Sequence, residues 1–141
     1  MLETNIDNMN GELYSYLYEK LLEAGALDVF TTPIFMKKNR SANMLSVLTE
    51  EKNETKIKNI IFEESTTLGI RRSRIERDEL ERKFKKVETI YGSIIIKAAV
   101  TPSGREKVHP EYEDVKKAAD ENGVSFMEVF NEAVKKYMDL K

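Results

Sequence analysis

A chain of 141 residues with no cysteine, no tryptophan and a single histidine excludes disulfides, thiol catalysis, zinc ribbons, iron–sulfur ligation and any two-histidine metal site. A divalent ion held by its own side chains must rest on oxygen ligands, with at most one imidazole. Lys and Arg number 23 against 25 Asp and Glu, so a net charge of -2 gives no global basic field and nucleic acid is not an expected partner.

The N-terminal stretch has no basic n-region and no apolar h-region, so no signal peptide is expected. No apolar run approaches the ~18 residues that span a bilayer, so no membrane contact is expected either. A cytoplasmic location is compatible with both. Residues 3–7 read as a short strand. Residues 12–24 read as a helix with Leu13, Leu17 and Leu21 four apart, flanked by Tyr14, Tyr18 and Leu22. Asn10 is the expected N-cap and Gly25 the stop. Residues 27–36 and 44–48 read as strands, the first placed at an edge or bulge by Pro33. The connection between them, Lys37, Lys38, Asn39, Arg40 and Ser41, is basic.

A second helix is expected over 50–64, burying Ile57, Ile60 and Ile61. Ser65, Thr66 and Thr67 then lead through Gly69 into a strand carrying Arg71, Arg72 and Arg74. Residues 83–91 and 93–100 read as a hairpin pivoting at Gly92, and 101–104 as a turn. Pro110 is the expected first residue of a third helix with Tyr112, Val115 and Ala119 on its apolar stripe. Ser125 and Glu128 form the capping box of a fourth, flanked by Val124 and Val129 as a staple and burying Phe126, Phe130, Ala133 and Tyr137. The predicted fold is α+β. A ferredoxin-like βαββαβ module over about 1–80 is extended by a β-hairpin and two C-terminal helices over about 81–141, the whole read as one domain.

This topology brings three polar segments to one end of the sheet: residues 7–10, 37–41 and 65–67. The start of the first helix offers unpaired N–H groups and a positive dipole end. Lys37, Lys38 and Arg40 add charge, Thr66 and Thr67 add hydroxyls, Gly69 lets a backbone come close, and Arg71 lies just beyond. Asp7 is the hard-oxygen candidate for a metal riding on phosphates. The assembly reads as a nucleotide-triphosphate or other polyanion pocket without a Walker loop. Residues 71–86 carry eight basic and four acidic residues with Phe84 as their one aromatic. They read as a cross-strand charge lattice on a solvent-facing hairpin rather than an RNA surface. His109 reads as a polar residue at a helix entrance and is given no metal role.

Five ordered motifs carry a family resemblance. They are Glu3-Thr4-Asn5-Ile6-Asp7-Asn8-Met9, Leu22-Glu23-Ala24-Gly25-Ala26-Leu27-Asp28-Val29, Met36-Lys37-Lys38-Asn39-Arg40, Thr66-Thr67-Leu68-Gly69-Ile70-Arg71, and Pro110-Glu111-Tyr112-Glu113-Asp114. Together they resemble the C-terminal part of the LarC-type nickel-insertion proteins that mature the lactate racemase cofactor. The resemblance implies a CTP-dependent cyclometallase of the lyase class. It would insert nickel into pyridinium-3,5-bisthiocarboxylic acid mononucleotide to give the nickel-pincer nucleotide, with manganese or magnesium accompanying CTP. It also implies a large N-terminal domain, absent here and needed as a separate domain or partner chain. The family tends to have a second Asp where this chain reads Asn8, so the expected metal site rests on Asp7.

Lys37, Lys38, Arg40, Thr66, Thr67, Arg71 and Asn10 are the expected triphosphate ligands. The alternative function is a non-catalytic nucleotide-binding regulatory module, or an oligomerisation module, because uncovered sheet edges make a homo-oligomer an expected state.

Overall fold

A computed structural model describes residues 1–140 and divides the chain into two compact units, Met1–Glu76 and Arg77–Lys141. The first unit contains strands β1 (Leu2–Ile6), β2 (Ala26–Met36), β3 (Arg40–Thr49) and β4 (Arg71–Arg72) with helices α1 (Gly11–Glu23) and α2 (Glu54–Glu64). Its sheet runs β2-β3-β1-β4 with every neighbouring pair antiparallel, so β3 is inserted between β1 and β2 in a split βαβ arrangement. Pro33 does fall on an edge strand, where its missing donor costs least.

Alternation along β1 turns Leu2, Thr4 and Ile6 inward. With Leu45 and Val47 of β3 they meet Tyr14, Leu17 and Leu21 of α1 and Ile57 and Ile61 of α2. Each fully buried aliphatic side chain here contributes about 1.5–3 kcal/mol relative to exposure. The stripe of α1 is therefore rotated from the expected one, for Leu13 is exposed and Tyr14 takes the inward position. Helix α2 begins at Glu54 rather than at residue 50, because Glu51–Asn53 forms a 3₁₀ turn. Asn53 Nδ2 there donates to the Gly25 carbonyl at 3.2 Å.

The second unit contains β5 (Arg82–Thr89), β6 (Gly92–Val100), β7 (Glu106–Pro110), α3 (Tyr112–Asn122) and α4 (Phe126–Asp139). Its sheet order is β5-β6-β7, again antiparallel. Val87, Ile94, Ile96 and Ala98 pack against Val115 and Ala119 of α3 and Val129, Ala133 and Tyr137 of α4. The expected hairpin thus has a third strand. Pro110 closes it, paired in register with Ile96, instead of opening a helix, which starts at Tyr112. Ser125 caps α4 by accepting the Glu128 N–H. The Glu128 carboxylate takes the Tyr91 hydroxyl and leaves the capping box one-sided. Among the described residues no helix is long and apolar enough to cross a membrane.

Candidate polyanion-binding site

The site grows from the end of β1. Beyond Ile6 the chain leaves the sheet and enters α1, whose cap Asn10 accepts the Leu13 N–H through Oδ1 at 3.1 Å. The amides before Leu13 have no carbonyl one turn back and face the loop. Gly11 opens the helix, and a Cβ built on it would meet nothing within 4 Å. A ligand oxygen therefore has backbone access to the positive end of the dipole.

The turn joining β2 to β3 supplies the second part. Lys37, Lys38 and Asn39 form a 3₁₀ turn in which Lys38 (φ 61°) and Asn39 (φ 57°) are both left-handed. Asn tolerates this region, whereas Lys does so at a cost on the order of 1 kcal/mol. Lys37 and Lys38 are exposed and make no ion pair among the described residues. Arg40 Nη1, from the first residue of β3, donates to Asp7 Oδ2 at 3.1 Å. The Arg40 side chain is 60% exposed, so this pair is weak and open to exchange.

The segment after α2 supplies the third part. Ser65 Oγ folds back on the Ile61 carbonyl (2.6 Å) and accepts the Thr67 N–H (3.3 Å), closing the helix end. Thr66 donates its hydroxyl to Asn8 Oδ1. Thr67 meets Thr4, whose hydroxyl donates to the Gly69 carbonyl at 2.8 Å. Next, Arg71 Nη2 on the edge strand β4 donates to Asn5 Oδ1 at 2.7 Å. Glu54 ties the same strand to α2 by bonding both Lys58 and Arg72. These two cations hold its carboxyl below the usual glutamate range.

All three segments therefore meet, as Asp7 with Arg40, Asn8 with Thr66 and Thr4 with Thr67. Arg71 is held one step aside on Asn5. Asn10 is committed to its cap, so its contribution is to fix the first turn. Thr4, Asn5 and Gly11 are the partners that the sequence reading passed over, and Asn8, inside the expected 7–10 segment, takes Thr66. A signal existed for Asn5, which alternates with the buried Thr4 and Ile6, and for Gly11, which follows the Asn10 cap. Asp7 is the one carboxylate bonded in this cluster, and among the described residues no group of three or more Asp, Glu or His gathers to hold a metal. The donor set fits a hard cation that arrives with phosphate oxygens and takes one carboxylate from the protein.

The family model described as "Nickel insertion protein" matches residues 1–130. A pyridinium-3,5-bisthiocarboxylic acid mononucleotide nickel insertion protein from Clostridium acetobutylicum is 49% identical over 141 residues, which is 100% of this chain and 33% of that protein. One of the same name from Thermotoga petrophila is 45% identical over 141 residues, 36% of its length. The chain thus spans about a third of the length of these curated relatives. Among solved structures, it is similar to LarC2, the C-terminal domain of a cyclometallase involved in the synthesis of the NPN cofactor of lactate racemase, in its apo form. The TM-score is 0.87 at 37% identity, over 96% of this chain and 94% of that one. A protein from Methanopyrus kandleri, at TM-score 0.64 and 24% identity, shares the fold alone.

Proposed function

This chain belongs to the nickel insertion protein family, and from that premise we propose that it is the CTP- and divalent-metal-binding domain of a CTP-dependent cyclometallase. The proposed reaction inserts nickel into pyridinium-3,5-bisthiocarboxylic acid mononucleotide and yields the nickel-pincer nucleotide of lactate racemase. Nickel is cargo here, and the substrate brings the sulfur donors that this cysteine-free chain lacks. Completion of the reaction requires the remaining two-thirds of the family protein, as a domain or a partner chain.

The observation that carries the reading is the meeting of three loops at the N-terminus of α1. There the Gly11 backbone is open to approach, and three side chains on other elements, Arg40, Thr66 and Arg71, are tied only to exchangeable side-chain partners. The triphosphate lies against the first turn of α1, with Lys37, Lys38 and Arg40 neutralising its oxygens and Thr66 and Thr67 donating hydroxyls. Arg40 exchanges Asp7 for a phosphate, which frees the Asp7 carboxylate for manganese or magnesium. The metal, when bound, screens the charge that builds up on phosphate oxygens as an anhydride bond breaks. Arg71 releases Asn5 and reaches the phosphates from β4. The long uncovered edge of β2 supports a homo-oligomer in which it is shielded.

Calorimetry with CTP and manganese tests the reading. Lys37→Ala and Arg71→Ala should each weaken binding by ~1.5–3 kcal/mol, the scale of one charge-assisted hydrogen bond. Undiminished affinity in both variants would overturn it. Incubating CTP with both domains, the pincer precursor and nickel separates catalysis from the alternative regulatory role, for which no nucleotide is consumed.

A further inference from the structure

In the second unit, α3 and α4 cover one face of the sheet and leave the other open. Along β6, Ile94, Ile96 and Ala98 are buried under the helices. The register places the intervening residues on the opposite face, with Arg82 in line with Lys107, Phe84 opposite Lys97, and Lys86 opposite Ile95. Phe84 is 62% exposed and Ile95 40% exposed. They are diagonal neighbours across the β5–β6 pair, close enough for an aromatic side chain to bridge. The open face thus holds an aromatic ring beside an aliphatic side chain, surrounded by four cations.

We propose that this face docks a pyridinium mononucleotide bearing two anionic acid groups. The inference rests on the proposed cyclometallase function and gives the second substrate a site on the second unit. A cationic pyridinium ring is drawn to the electron-rich face of Phe84, whereas a neutral ring gains stacking alone. The acid groups and the phosphate find Lys97, Lys86, Arg82 and Lys107 within one sheet face. Lys97 rests on Glu111 at 3.1 Å, Lys86 on Glu88 at 3.6 Å and Arg82 on Glu79 at 3.8 Å. The Lys86 and Arg82 pairs are exposed and the Lys97 pair half-buried, and such pairs at the surface are readily exchanged for ligand oxygens. Lys107 has no ion pair among the described residues. The flanking carboxylates disfavour a long polyanion, whose further phosphates would meet Glu88 and Glu111.

Nicotinate mononucleotide, a pyridinium mononucleotide with one carboxylate, is the probe, titrated into the isotope-labelled chain and followed by amide shifts. Shifts at Phe84, Ile95 and Lys97 are expected. Lys97→Glu should weaken binding roughly tenfold, the scale of one lost charge-assisted contact, and Phe84→Ala about two- to fivefold, the scale of an exposed cation–π contact. Phe84 is exposed and Lys97 half-buried, outside the core under α3 and α4, so the amide spectrum will report an intact fold. Ribose 5-phosphate, which lacks the ring, should bind at least about tenfold more weakly. The proposal is overturned by an unshifted β5–β6 face, by equal binding of ribose 5-phosphate, or by tighter binding of oligouridylate than of the probe. CTP with manganese added to the same sample reads the first unit separately, through shifts at residues 37–40 and 66–67. Failure there with success on β5–β6 would indict the earlier reading and leave this surface standing.

Discussion

At the end of β1, side chains of the first unit bond to one another across loops: Arg40 to Asp7, Thr66 to Asn8, Arg71 to Asn5. In the second unit, the polar side chains at the turns and helix ends bond backbone instead. Asp114 accepts the Ile95 N–H at 2.8 Å, Asn122 donates to the Tyr91 and Ala118 carbonyls, and Ser125 takes the first turn of α4. A side chain bonded to backbone holds the fold, and removing it leaves a peptide group without a partner. A side chain bonded to another exposed side chain can be released to a ligand at little cost. The contrast sets the exchangeable side-chain pairs at the loop ends of the first unit against the backbone-bound side chains at the turns of the second.

The sharpest break of this contrast would come from the cores. Leu17→Ala, at a position with no exposure, should cost about 2–5 kcal/mol. Hydrogen exchange should show protection falling in β1, β3 and α1 while Ile94 and Ile96 keep theirs. Equal loss in both units would mean that they unfold as one, and the division would fail as a description of stability. Smaller, and more telling for function, is the pair Asn10→Ala and Ser125→Ala. Each removes a helix cap worth about 1 kcal/mol by thermal denaturation. Asn10→Ala should also weaken CTP binding by calorimetry, because it loosens the turn on which the phosphates rest, whereas Ser125→Ala should leave affinity unchanged.

The smallest effect distinguishes how each unit holds a carboxylate. The Lys58 and Arg72 side chains depress Glu54, while Glu88 is depressed first by the Ser93 hydroxyl and then by Lys86. Both folded values lie below the unfolded one, so both contributions are complete above about pH 5. They are lost as the pH falls through the carboxylate range near 4 and below. Carboxyl NMR titration should return Glu54 towards its ordinary value in Arg72→Ala, and Glu88 in Ser93→Ala. At about 1 M salt, the Glu54 displacement should shrink more than that of Glu88.

Much of this architecture was legible in the order of residues. Asn10 and Ser125 announced their helices because a cap is a local bond between a side chain and an amide three residues on. Pro33 marked an edge for an equally local reason, the absence of a donor. The gathering of residues 7–10, 37–41 and 65–67 followed from connectivity alone. What connectivity cannot give is pairing: which of the cations takes Asp7 depends on side-chain reach and on the backbone turn at Lys38. Strand β7 was hidden because Glu106-Lys107-Val108-His109-Pro110 offers one aliphatic residue to the core, and its pattern is completed only by β6 beside it. Leu13 and Tyr14 were exchanged because both fit a helical stripe, and the choice is made by where α2 and the sheet lie.

The left-handed pair Lys38 and Asn39 carries a kinetic consequence. A three-residue connection locked between two paired strands has few alternative shapes, so its lysines do not need to be gathered when an anion arrives. Association should then be governed by diffusion and by ionic strength rather than by waiting for a loop to close. Asn39→Gly, which leaves every cation in place, would ease the backbone yet give the turn more shapes to lose on capture, trading a slower encounter for a relaxed resting chain.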